Sequence, residues 1–334
     1  MTRSVPQVVA VGAALLGVAL FLATLYYIDL DETVASASRL GLALPIVLLP
    51  GTAWHLLRTW GWSIAFPDAA RPAFTRLFRV RLAADAISFF TVRGIAGEPL
   101  KVLLLYDRVK PEVTTAAIAL ERLTFAVIGT AIAGVISLLA IARVPMSGGW
   151  DALFALLALG AVVLLGIVGV MARRRSQYYL GQLVAMLDRV TGRRLERHRA
   201  VRFILDVEHV LLDLLRGDRR RLVTLVGLAA ICYAVMATEV WLVFWAIGER
   251  ITVMEALIVE TFARLASVAF AFVPANIGTL EASNVAVAEG LRLTGGGSLA
   301  LARRIRALLW AGLGLVLYPR VTARPAHPPP QPAR

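Results

Sequence analysis

The stretch LAADAISFFTV, RGIAGEP, LKVLLLY, running from Leu82 to Tyr106, decides how the rest of the chain is read. Each of its apolar pieces is too short to cross a bilayer, which takes about 20 apolar residues in a helix. The piece between them holds glycine, proline and charge, so helix, break and half-helix is the natural reading. A second stretch repeats the pattern. From Ile251 a helix of crossing length reaches Pro274, followed by ANIGTLEAS and the short apolar piece NVAVAEGL. Irregular backbone at membrane depth leaves peptide groups that lipid cannot satisfy, so it survives only inside protein or against a wet cavity. Both breaks are therefore expected to point inward.

Around these breaks the apolar residues come in long blocks, and the chain is 59% apolar with a mean hydropathy of +0.74. Val8 to Ile28 and Ala152 to Ala172 carry no charge, and Leu123 to Ile141 is equally apolar. Leu222 to Gly248 holds one acid, Glu239, and Leu40 to Phe66 holds His55 and Arg58. The fold class expected is an all-α polytopic membrane protein with roughly six to eight crossings and two re-entrant broken-helix hairpins. One transmembrane domain covers residues 1–320, and the proline-rich end, 321–334, is expected to be a disordered tail. The first block is too long for a signal-peptide core, and Asp29, Asp31 and Glu32 separate it from Ala35-Ser36-Ala37, so it reads as a retained signal anchor.

Interrupted segments at corresponding places in two halves are the best sequence pointer to a transporter's midplane site. Gly94-Ile-Ala-Gly97-Glu98 and Asn276-Ile-Gly278-Thr-Leu-Glu281 correspond loosely, which fits an inverted repeat, with chance similarity as the competing reading.

The formal charge of +13 would point a soluble chain toward nucleic acid, but here the charge follows the loops, and no nucleic-acid partner is expected. Residues 173–221 hold thirteen arginines against six acids, and 71–81 hold four arginines and no acid. The positive-inside rule places both on the cytoplasmic side of an inner or plasma membrane, and the acidic link Asp29 to Glu32 outside. Within the basic linker Val201, Ile204, Leu205, Leu212 and Leu215 share one helical face. Two readings stand: an amphipathic helix on the inner leaflet, or a solvated linker helix. Cys232, the only cysteine, lies in an apolar run and reads as a small buried hydrophobe.

Ionisable groups within spanning segments are costly and mark function unless they sit at helix ends. The first break carries Arg93, Glu98 and Lys101, with Asp85 on the helix before it. Glu121 and Arg122 lie eight residues into a run beginning near Val113, and adjacent helical residues cannot face each other, so each needs a partner elsewhere. The bland alternative starts the crossing at Leu123 and leaves both at the interface. Glu260 and Arg264 are four apart and can pair on one helix face, while Glu281 belongs to the second break. Arg303, Arg304 and Arg306 read as the end of a helix. Pro99 fits a first helical turn and Thr279 a cap, so two half-helix N-termini would present free N–H groups and positive dipole ends to a phosphate.

At these residues the chain resembles the membrane domain of the lysylphosphatidylglycerol synthase family, a large flippase-like group. The resemblance is carried by GIAGEPLK at Gly94 to Lys101, the pair Glu121-Arg122, and PANIGTLE at Pro274 to Glu281, in that order, and covers about Val8 to Pro319. It implies two re-entrant hairpins and translocation of lipids, such as aminoacylated phosphatidylglycerol or polyprenyl-linked sugars. The substrate-binding set then comprises Arg93, Gly97, Glu98, Lys101, Glu121, Arg122, Glu260, Arg264, Asn276, Gly278 and Glu281. The partners expected are membrane lipids with anionic headgroups and a separate lipid-modifying enzyme. The chain departs from the family in having Arg93-Gly94-Ile95-Ala96-Gly97 where a proline and paired glycines are common. It ends at Arg334 without the soluble aminoacyl transferase domain, so lysine transfer from tRNA is not expected of it.

Two other functions compete with a lipid flippase. Asp29-Leu30-Asp31-Glu32 resembles the acidic first loop of polyprenyl-phosphate-dependent glycosyltransferases, where a carboxylate serves as base and metal ligand. A non-catalytic accessory to a lipid-modifying enzyme is the third. His55, His198, His209 and His327 show no metal-ligand spacing, no catalytic motif is present, and no cofactor is expected.

Overall fold

The computed structural model describes residues 40–91, 97–144, 149–173, 178–191, 198–271, 273 and 278–319. The first apolar block, the acidic link after it, Arg93, Asn276 and the C-terminal tail lie outside the described residues. Among those described the regular structure is helical: α1 (Leu44–Ala65), α2 (Phe74–Phe90), α3 (Gly97–Leu105), α4 (Pro111–Arg143), α5 (Trp150–Arg173), α6 (Tyr179–Thr191), α7 (Arg199–Gly217), α8 (Arg219–Ala246), α9 (Val253–Ala269), α10 (Thr279–Gly290) and α11 (Gly296–Val316). Among the described residues four helical segments are long and apolar enough to cross a membrane: Gly41–Ala65, Pro111–Arg143, Trp150–Val170 and Arg219–Ala246. They coincide with four of the apolar blocks. The chain is an all-α polytopic membrane protein.

Local chemistry sets several helix starts. Pro111 opens α4, where its missing N–H leaves no helical bond unmade. At α9, Thr252 and Glu255 form a reciprocal capping box. Gly278 precedes α10 with φ +76, a left-handed conformation that costs glycine little. Thr279 is thus the first helical residue there and not the cap that its hydroxyl suggested, because the turn is made by backbone geometry.

Both breaks are antiparallel hairpins. At the tip of α3, a Cβ on Gly97 would lie 2.7 Å from the Ala84 carbonyl and the Ser88 hydroxyl of α2. Farther along, Lys101 meets Asp85, and Arg76 donates to the Leu104 carbonyl at 2.9 Å. In the second hairpin Ala263, Ala266 and Ser267 of α9 face Thr279, Leu280 and Ser283 of α10.

The halves α1–α4 and α8–α11 make matching contacts. Helix α2 lies against α1 and α3, as α9 lies against α8 and α10. Helix α4 packs on α1, α3 and α9, as α11 packs on α8, α10 and α2, and α1 and α8 pack on each other. Matching helices run in opposite directions. One buried cluster joins the end of α1 (Trp62), the start of α8 (Leu225), the first third of α4 (Leu120) and the first hairpin (Leu77, Leu104), with Leu315 from the end of α11 beside it. The other joins the start of α1 (Val47), the end of α8 (Phe244), the last third of α4 (Ile136, Ala140), the second hairpin (Ile258, Val287) and the start of α11 (Leu299). The repeat is inverted, and the two hairpins sit at opposite ends of the bundle.

Lipid tails are as apolar as leucine, so hydrophobic burial cannot hold these helices together, and close packing and polar contacts must. Gly314 of α11 accordingly lies against the Leu82 carbonyl of α2, and Gly61 of α1 against Phe125 and Leu225. Outward, α5 presents Leu156, Leu159, Val163, Ile167 and Val170 as exposed residues, the pattern of a lipid-facing helix.

Two expectations are corrected. Arg76, Arg79 and Arg81 are not in a loop: α2 begins at Phe74 and takes all three, leaving Arg81 only 2% exposed. Helix α7 is not a solvated linker standing free of the bundle, because Leu214 is buried and Val207, Val210, Leu211 and Leu215 pack on the first cluster.

Candidate functional site

Charged side chains assemble into two networks, one in each half. In the first, Glu121 of α4 is 2% exposed and receives Arg58 of α1 at 2.9 Å and Arg81 of α2 at 3.4 Å. Arg81 also reaches Asp85 one turn on, at 3.4 Å. Lys101 of α3 bridges Asp85 at 3.5 Å and Glu98 at 3.1 Å, and Glu98 is closed by Arg122. The Arg58 guanidinium lies 3.9 Å over the Phe125 ring and Lys101 lies 5.6 Å over Trp62, contacts that soften the loss of water around a cation.

In the second network Glu260 of α9 takes Arg264 of its own helix at 2.6 Å and Arg303 of α11 at 2.5 Å. Glu239 of α8 is 1% exposed and meets Arg303 at 3.6 Å and Arg306 at 3.1 Å. Glu281, at the start of α10, pairs with Arg304. Arg303 also donates to Asn284 at 3.0 Å, and Arg264 lies 4.5 Å over the Tyr233 ring, whose hydroxyl bonds Thr261.

The networks are mirror images in charge. Helices α2 and α9 are each 17 residues long and carry an ion pair at their eighth and twelfth positions: Arg81 and Asp85 in one, Glu260 and Arg264 in the other. The buried triad follows the same reversal. Two cations on α1 and α2 hold an anion on α4, while two anions on α8 and α9 hold a cation on α11. The next residue along is arginine in both halves, and Arg122 and Arg304 each reach back to the glutamate opening a hairpin half-helix. Each network counts four cations against three anions: Arg58, Arg81, Lys101 and Arg122 against Asp85, Glu98 and Glu121, then Arg264, Arg303, Arg304 and Arg306 against Glu239, Glu260 and Glu281.

The two networks meet along α1. A Cβ on Gly51 would press on Arg306 at 2.5 Å, so glycine there lets Arg306 pass α1 to reach Glu239. Arg58 of the other network is seven residues on, about 10 Å along the helix axis at 1.5 Å per residue. Between them sits His55, 8% exposed, with rings of Trp54 and Trp310 at 4.8 and 4.3 Å and no hydrogen-bond partner for its Nδ1.

Of the residues singled out in the sequence, Gly97, Glu98, Lys101, Glu121 and Arg122 come together in the first network. Glu260, Arg264 and Glu281 come together in the second, with Gly278 shaping the turn before it. Arg303, Arg304 and Arg306 do not mark a helix end. They lie within α11, and Arg303 is 5% exposed. Arg81 and this arginine group were missed as site residues, although Glu239, isolated in an apolar run, demanded a buried cation from elsewhere. Among the described residues, the crevice where α9 meets α10, lined by Ala263, Ala266, Ser267, Thr279, Leu280 and Ser283, has no room for a water molecule.

These features define a class: polytopic helical membrane proteins built on an inverted repeat with charged, broken helices. The sequence profile of the lysylphosphatidylglycerol synthase TM region matches residues 8–316, and the chain belongs to that family. No curated protein and no solved structure matches the chain.

Proposed function

We propose that the protein carries an anionic lipid, a phospholipid or a polyprenyl-linked lipid, between the leaflets of a bacterial inner membrane, with its basic segments in the cytoplasm. The observation that carries this reading is the charge count. Among the described residues each network holds one cation more than it has anions, in surroundings where unbalanced charge is costly. A phosphodiester supplies the missing negative charge, and the half-helix N-termini at Gly97 and Thr279 add N–H groups and a positive dipole end. Arg122 and Arg304 are the groups a headgroup would engage, by displacing Glu98 or Glu281, since both stand at hairpin starts. Two such stations, one in each of two oppositely oriented halves whose networks meet along α1, would hand a headgroup across the midplane while its tails stay in lipid. Membership of the family supports the same reading.

The test is leaflet-selective quenching in liposomes holding the purified full chain, with headgroup-labelled anionic phospholipid and polyprenyl-phosphate lipid as probes. Movement of one of them, lost in Arg122→Gln and in Arg304→Gln and kept in the exposed-site control Arg202→Gln, is the expected result. Absence of movement for every probe, with and without an ion gradient, overturns the proposal.

A further inference from the structure

Helix α6 carries an apolar face that no part of the described chain covers. Leu180, Leu183, Met186, Leu187 and Val190 are all exposed, Val190 by 77%. At 100° per residue these five fall within about 120° of the helix circumference, with Gln182 and Arg189 to one side. The opposite side is occupied. Glu208 of α7 accepts the backbone N–H groups of Leu180 and Gly181 at 2.7 and 3.0 Å, capping the start of α6. The ring of Tyr178, just before it, lies tilted against that of His209 at 4.4 Å and under the Arg216 guanidinium. Helix α6 is thus pinned by one face to α7, which is itself packed on α4, and its apolar stripe is held outward at a fixed angle.

We infer that α6 is an interfacial anchor whose apolar stripe lies in the acyl boundary of the cytoplasmic leaflet, in a zone of anionic headgroups. Three observations choose lipid over solvent, a protein partner or a second copy. Helix α6 follows the lipid-facing helix α5 after only five intervening residues, so the stripe begins at the membrane surface. The segment carrying it, 173–221, has seven more arginines than acids, with Arg173 to Arg175 before α6 and Arg193, Arg194 and Arg197 after it, a charge that matches an anionic leaflet. The neighbouring helix α7 has spent its apolar side on the bundle, which leaves α6 as the element of this segment able to enter lipid. A helix with an apolar stripe and basic flanks binds best where both attractions act together. The placement does not depend on what the protein transports.

Cys232 is the only cysteine, so a Cys232→Ser background accepts single probes. An environment-sensitive fluorophore placed at Leu187→Cys or Val190→Cys in the full chain, in nanodiscs, is compared with one at Gln182→Cys. The expected result is a blue-shifted probe at 187 and 190, quenched by shallow doxyl-labelled lipid several-fold more than at 182, and more strongly in discs containing phosphatidylglycerol than in zwitterionic ones. Equal quenching of all three sites by aqueous iodide overturns the proposal in favour of solvent. Protection of 187 and 190 from both quenchers overturns it in favour of a protein contact, and an unchanged signal between the two lipid compositions overturns the anionic preference. Each variant is first shown to elute as the parent does, so that a misfolded chain is not scored.

Discussion

At the scale of single residues, Glu121 is the position where structure and cost are most directly linked. It is buried, and it holds two arginines that come from different helices. Removing one partner of a buried pair leaves an uncompensated charge, which costs about 3–5 kcal/mol. Glu121→Leu should therefore lower stability by about that amount, seen as a large drop in the unfolding midpoint in detergent. Arg122→Gln, next to it, should change stability by less than about 1 kcal/mol, because Arg122 is nearly half exposed and its pairing is screened. A similar loss in both variants would show that depth of burial does not separate their roles. Adjacent positions with such different roles explain what the sequence could reveal. That Glu121 and Arg122 need separate partners follows from helix geometry alone. Which partners they take does not, because Arg58 and Arg81 are 63 and 40 residues away and Arg81 stands in a run of arginines that reads as a loop.

Helix breaks belong to the next scale, and their positions were legible because glycine, proline and charge interrupt apolar runs in only two places of the right kind. Their depth and direction were not, since these depend on what the broken helix packs against. Arg79 donates to the Leu317 carbonyl while Ala86 meets Ala311, so α2 descends along α11 and ends beside its middle. The first hairpin closes through Gly97, which lets the start of α3 approach the α2 backbone. Gly97→Ala should force a shift of a few tenths of an ångström or more and destabilise by about 1–3 kcal/mol, the range for overpacking a close contact. Gly129→Ala, on α4 with open space around its missing Cβ, should be neutral or slightly stabilising, as alanine is the better helix former. Thermal unfolding of the two variants in the same detergent checks the contrast. Equal midpoints would mean that the hairpin tip is looser than the contact at Gly97 requires.

For the whole molecule, the charge-mirrored repeat is the feature that no local reading supplies. The similarity of GIAGE and NIGTLE hints at two related halves, but polarity reversal hides the relation: where one half has arginine, the other has glutamate, so the halves do not align by residue identity. The pairs at positions eight and twelve of α2 and α9 suggest that each architecture accepts either polarity, provided the whole network reverses together. Arg81→Glu alone places three acids around one another, Glu121 and Asp85 included, and frees Arg58 of half its competition; it should cost about 3–5 kcal/mol. The fourfold exchange Arg58→Glu, Arg81→Glu, Asp85→Arg and Glu121→Arg reproduces the polarity of Glu239, Glu260, Arg264 and Arg303, and Lys101 keeps Glu98 as its partner. Residues in one network are strongly non-additive, so the fourfold variant should recover most of the stability that the single change loses. If instead it unfolds more readily than Arg81→Glu, the mirrored arrangement is a coincidence of packing and not a property of the repeat.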